Sequence, residues 1–152
     1  MLRISKLTDY ATVLMATLID WPDQCVPASR LAQLTGLEVP TVAKVLKTLA
    51  RAGLVSSVRG VNGGYQLAYA PEDISVAGII RAMEGPIALT ECALESGLCA
   101  HEPDCQLKGN WKRIGQAIEN ALSGLSLADL AEPSSQRIAI RARIENSPLQ
   151  EF

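Results

Sequence analysis

The sequence has a single histidine, His101, and contains no H-E-x-x-H, no G-x-x-x-x-G-K and no pair of carboxylates in a pocket-like pattern. These absences remove the usual platforms for a zinc protease, a phosphate-cradling enzyme and general acid–base catalysis. A thiol enzyme built on Cys99 and His101 is the one enzymatic arrangement left, so a non-enzyme is expected. Long apolar runs are also missing. The longest near-apolar stretch is Tyr10 to Ile19, with two threonines in it, and it is too short to span a bilayer. Arg3 and Lys6 precede it as in a signal peptide, but Asp9 breaks the flank and Asp20-Trp21-Pro22-Asp23 is a poor cleavage site. An amphipathic first helix and a cytoplasmic protein without a membrane partner are expected. There is no excess of one charge: 14 basic and 16 acidic side chains give a net charge of −2, which excludes a histone-like polycation. Internal repeats and low-complexity tracts are absent.

What is present suits one folded domain, or a small domain with an appended helix. The 152 residues are 48% apolar and 20% charged, which excludes a wholly disordered chain. The charge is split unevenly. Residues 1–69 hold seven basic and four acidic side chains, whereas residues 70–152 hold seven and twelve. That asymmetry points to a polyanion-binding first part joined to a second part with another task.

Apolar spacing of three and four predicts a helix from Ser5 or Thr8 to Trp21-Pro22. A short second helix is expected over Pro27 to Thr35, with Leu31 and Leu34 inward and Gly36 as its stop. A third is expected from about Glu38 to Ala52, burying Val42, Val45, Leu46 and Leu49. The period then changes to two. Leu54–Arg59 and Tyr65–Ala68 read as strands around the turn Gly60–Gly64. A fourth helix is expected over Ile74 to Met83, and a long one from about Gln106 to Leu122 with the stripe Leu107, Trp111, Ile114, Ile118, Ala121, Leu122 and Leu125. One chain can bury part of that stripe, and the same helix of a second copy would bury the rest. The fold class expected is mainly α with a small β-hairpin wing, a winged helix-turn-helix plus a long dimerisation helix. It divides into residues 1–85 for DNA binding, a cysteine-bearing loop at 86–105, a dimerisation helix region at 106–131, and a loosely ordered tail at 132–152.

With its apolar stripe inward, the third helix turns Thr41, Lys44, Thr48 and Arg51 outward in one row, with Lys47 beside it. Hydroxyls and cations can bond phosphate oxygens and base edges in a major groove, which accepts one helix. The same pattern also describes an ordinary solvated helix face. Arg59 at the hairpin tip, among glycines, adds a guanidinium suited to a narrow minor groove. Double-stranded promoter DNA is the partner expected.

Cysteines occupy positions 25, 92, 99 and 105, and the last three form C-x6-C-x5-C. Their clustering suits reduced thiols better than a disulfide framework. A soft trithiolate loop is compatible with an iron–sulfur cluster, zinc, thiol sensing or no ligand at all. The spacing is wider than the close pairs of structural zinc sites. Cys25, in a separate loop, reads as an ordinary small residue with a minor redox alternative.

The stretches Arg3–Ala11, Gly53–Gly60 and Gly63–Ala68, above all the "SSVRG…GGY" wing, resemble the IscR/NsrR family of bacterial transcription regulators over roughly residues 1–130. The overall likeness is to the branch controlling SUF-type iron–sulfur assembly operons. The resemblance implies a homodimer on near-palindromic DNA and an iron–sulfur cluster, [2Fe-2S] or [4Fe-4S], held by Cys92, Cys99 and Cys105. Some members place a histidine three residues after the last cysteine, where this sequence has Lys108. In others an aspartate in the first helix of the partner subunit completes the site, and Asp9 matches it. Asp9 is equally explained as a first-turn carboxylate favoured by the helix dipole. His101 lies inside the loop, either as a ligand or solvated. A regulator using zinc or thiol oxidation, and an iron–sulfur carrier, are the rival expectations. The carrier would need neither the basic helix nor the Arg59 wing.

Overall fold

The computed structural model describes residues 3–90, 93 and 105–132. Helix α1 spans Lys6–Ile19. Ser5 caps it by accepting the Thr8 N–H at 3.3 Å, and Ala11, Leu14, Met15 and Leu18 are buried at helical spacing. Helix α2 spans Ala28–Thr35 and stops at Gly36, whose φ of +70° suits a residue without a side chain. Helix α3 spans Val39–Arg51 with Pro40 in its first turn, where the missing N–H costs nothing. Val42, Val45, Leu46 and Leu49 of α3 close on the buried side of α1. Each such side chain contributes roughly 1.5–3 kcal/mol through removal from water.

Strands β1 (Val55–Val58) and β2 (Gly64–Leu67) form an antiparallel hairpin, with Val55 opposite Leu67 and Val58 opposite Gly64. Val26 and Tyr65 exchange both backbone hydrogen bonds at 2.9 Å, so the hairpin is pinned to the loop between α1 and α2. A 3-10 turn at Pro71–Asp73 leads to α4 (Val76–Glu84), which packs on α1 and α3. Helix α5 (Lys108–Ser123) lies against α4, with an Arg81–Glu119 ion pair at 3.1 Å between them. Helix α6 (Leu127–Ala131) brings the chain back: Leu127 is fully buried, its N–H donates to the Ile74 carbonyl at 2.8 Å, and α6 packs on α1.

The mainly helical winged arrangement is as the sequence implies, with local differences. Leu34 is 42% exposed rather than inward. The buried side of α2 is set by Leu31 and Ala32, and Leu34 lies roughly 110° around the helix from their midpoint at 100° per residue. Helix α4 begins after Ile74, because Ser75 caps it by accepting the Gly78 N–H at 3.1 Å. Gly64 belongs to β2, not to the turn. A Cβ there would stand 2.5 Å from the Val26 carbonyl, so only glycine lets the hairpin approach that loop. Helix α6 is not expected from apolar spacing. Its sign is Ser126 followed three residues later by Asp129, which form a reciprocal capping box. The tail at 133–152 lies outside the described residues.

Candidate nucleic-acid interface and metal-ligating residues

Because Val42, Val45, Leu46 and Leu49 point into the core, the other side of α3 faces water. Lys44, Lys47 and Arg51 are exposed, and Thr41 and Thr48 are part-buried at the edge of that face. The Thr48 hydroxyl donates to the Lys44 carbonyl at 3.2 Å, which leaves its oxygen free to accept. Among the described residues the only ion pair is Arg81–Glu119, so no carboxylate there neutralises Lys44, Lys47, Arg51 or Arg59. The α3 face is therefore a set of uncompensated cations on a rigid helix.

Arg59 is exposed directly after β1, beside Gly60 with φ +117°. Val61, two residues on, is wholly exposed, an apolar side chain in the turn of the wing. Sequence reasoning passes over Val61, since a lone valine in a glycine-rich turn carries no pattern. The strands are held close where they meet the turn: a Cβ on Gly63 would strike the Val58 carbonyl, and Gly64 lies against Val26. The glycine-rich tip thus sits on a tightly closed hairpin.

Of the cysteines, Cys25 and Cys105 are described, both free and part-buried. The Cys25 thiol donates to Gln66 Oε1 at 3.5 Å, behind the wing. Cys105 lies three residues before α5. Cys92, Cys99 and His101 lie outside the described residues. Asp9 is in the first turn of α1, exposed, and its carboxylate meets no hydrogen-bond or ion-pair partner among the described residues. No group of three or more His, Cys, Asp or Glu side chains converges among the described residues.

Sequence reasoning also misses a bond network next to Asp9. Glu84, at the end of α4, accepts the Ser5 N–H at 2.8 Å and the hydroxyl of buried Thr8 at 2.6 Å. These bonds, that from Thr8 foremost, hold the Glu84 carboxyl below its ordinary value. The partners are more than seventy residues apart in sequence, so no local spacing announces them.

On helix α5, Leu107 just before it, Trp111 and Ile114 are 58%, 39% and 45% exposed, while Gly115 is buried against the rest of the fold. None of the described helices is long and apolar enough to cross a membrane.

Comparisons with known proteins agree with this arrangement. A family profile described as Rrf2, iron-dependent transcriptional regulator, matches residues 4–133. Protein rrf2 of Nitratidesulfovibrio vulgaris is 30% identical over 135 residues, covering 88% of this chain and 90% of that protein. The structure of CymR, the global cysteine regulator of B. subtilis, superposes with a TM-score of 0.66 at 31% identity, covering 86% of this chain and 97% of that one. IscR of T. potens gives a TM-score of 0.62 at 32% identity, covering 85% of each chain. The relatives are regulators rather than enzymes. With nearly its whole described length matched, the chain belongs to the Rrf2 family of transcriptional regulators.

Proposed function

We propose that this regulator reads promoter DNA as a homodimer, with α3 in the major groove and Arg59 of the wing in the adjacent minor groove. The observation that carries this reading is the α3 face: Thr41, Lys44, Lys47, Thr48 and Arg51 face outward, with no carboxylate among the described residues paired to the cations. Phosphate contacts set register and affinity, and base-edge contacts from the same helix set sequence. The exposed Leu107, Trp111 and Ile114 supply the surface for a second copy. Two reading helices related by a two-fold axis fit half-sites about one helical turn apart.

The signal sensed is an iron–sulfur cluster, and the genes controlled are those of iron–sulfur assembly, of the SUF type. The donor chemistry fits: Cys92, Cys99 and Cys105 offer three soft thiolates, and Asp9 of the partner subunit offers an accessible carboxylate with no competing partner among the described residues. Asp9 faces water and is accessible to a second chain. Bound there, [2Fe-2S] or [4Fe-4S] would supply a centre that oxygen or nitric oxide can alter or remove. The residues would do the rest: Cys92, Cys99 and Cys105 would hold the group through their thiolates, and Asp9 would tie one α1 to the other chain. A family that includes an IscR structure and an iron-dependent description supports this.

A second reading is favoured by the CymR likeness, since that relative is a cysteine regulator. In this second reading the thiols of this chain themselves, or zinc bound to them, report the signal. Anaerobic purification separates the two. Brown protein with iron and sulfide, whose operator affinity changes on cluster loss, supports the cluster. Colourless protein with zinc, or with an oxidant-dependent operator affinity, supports the second reading. A salt-dependent shift of promoter DNA tests the regulator itself, and its absence overturns both.

A further inference from the structure

Glu84 is the last residue of α4, and Gly85 turns the chain behind it with φ +89°. Residues 86–89 then line a groove of about 610 Å³ that Trp111, Ile118 and Leu122 also line. Glu84 therefore stands where the helical body passes into the cysteine-bearing segment. Its Oε1 reaches back to the opposite end of the sequence, accepting the Ser5 N–H at 2.8 Å and the Thr8 hydroxyl at 2.6 Å. Ser5 Oγ and Thr8 Oγ1 are 3.1 Å apart and close the network. Thr8 is the one polar residue buried as a whole among the described residues, and most buried hydroxyls in folded proteins are hydrogen-bonded. The acceptor is anionic and sits at the positive end of α1, so the bonds are charge-assisted.

Asp9 follows Thr8, and α1 packs directly on α3. We propose that Glu84 is a positioning residue that locks the Asp9 turn of α1 to the entry of the cysteine segment, so that α3 responds to the state of the cysteines. The statement rests on the sensing function above. Without the lock, a change at the cysteines would leave α1 where it is. With it, the loop entry is hydrogen-bonded through Glu84 to the first turn of α1, the turn that carries Asp9 on a helix packed against α3, which is a contiguous physical link between the two sites.

The test uses the full chain in two states. Hydrogen exchange is read on the apo protein for Glu84→Ala, Thr8→Val, the double variant and Thr8→Ser. Operator affinity and visible circular dichroism are read before and after anaerobic loading with iron and sulfide. Expected are exchange at the first turn of α1 faster by about tenfold in Glu84→Ala and in Thr8→Val, with little further change in the double variant, and recovery in Thr8→Ser, which keeps the hydroxyl. The ratio of operator affinities between loaded and apo protein should shrink by about fivefold or more in both single variants. Unchanged exchange at that turn overturns the lock. So does loss of the affinity ratio in Glu84→Ala but not in Thr8→Val, which would mean that Glu84 acts on the loop directly. If the wild type loads no cluster, the sensing function fails, and the apo exchange data still decide whether the lock exists.

Discussion

The hydroxyl of buried Thr8 donates to the carboxylate of Glu84 across 2.6 Å, joining the first turn of α1 to the last turn of α4. One end of the bond cannot be released to water without opening the fold, and the other end titrates. Glu84 is held below its ordinary value by this bond first and by the Ser5 N–H second, and Asp129 is lowered likewise by its bonds to Ser126. A carboxyl depressed in the folded state stabilises above its unfolded value and loses that contribution as pH falls through the folded one. Chemical unfolding should show stability level from neutral pH to about 5 and falling below about 4. Glu84→Ala should be less stable at neutral pH and flatter in that acid window.

Replacing Lys44 or Arg51 by Ala should weaken operator and random DNA by similar factors. The slope of log affinity against log salt should flatten by about 0.9 for each phosphate that is no longer neutralised. Replacing Thr48 by Ala should leave the salt slope unchanged and act on operator alone if its oxygen reads a base edge. Fluorescence anisotropy on both DNAs checks the pair.

Gly64→Ala should be severely destabilising, because the new methyl group meets backbone that cannot move aside: the Val26 carbonyl at 2.5 Å. The loss should reach about 3 kcal/mol, the range of forced overpacking. Gly109→Ala, in open space within α5, should be neutral or stabilising by up to about 1 kcal/mol. Thermal unfolding of both variants distinguishes the close approach from a general cost of removing glycine.

Leu49→Ala, at a fully buried position of α3, should cost about 2–5 kcal/mol. Leu34→Ala should cost well under about 1 kcal/mol, because that side chain is already largely in water. Denaturant midpoints test the contrast.

Ile114→Glu places a charge in the exposed apolar surface of α5 and should shift the protein from dimer to monomer in sedimentation, with little loss of helix by circular dichroism. Operator affinity should fall with it, since one reading head gives up the second half-site.

The helices most legible in the sequence are those whose buried residues repeat every three or four positions. In α3 the same periodicity that sets Val42, Val45, Leu46 and Leu49 inside sets the cationic face outside. Leu34 misleads because eight residues are too few for two leucines to define a face when Ala32 does so instead. Helix α6 is hidden by its length of five residues, although its capping box is plain in the sequence. The Val26–Tyr65 bridge and the Thr8–Glu84 bond depend on distant parts of the chain meeting, which no local period encodes. The ligand role of Asp9 comes from resemblance alone; its exposure in the structure adds only that it is accessible.

The return of the chain after α5 has a mechanical consequence. Ser126 pairs with Ser75, Val76 donates to the Leu125 carbonyl at 2.9 Å, and Leu127 plugs the core. The far end of α5 is therefore anchored to the winged body, while its near end receives the segment that carries Cys105. Such a helix cannot slide along its axis. A displacement at its cysteine end is therefore greatest there and dies away toward the anchored end, where Leu127 is fixed in the core.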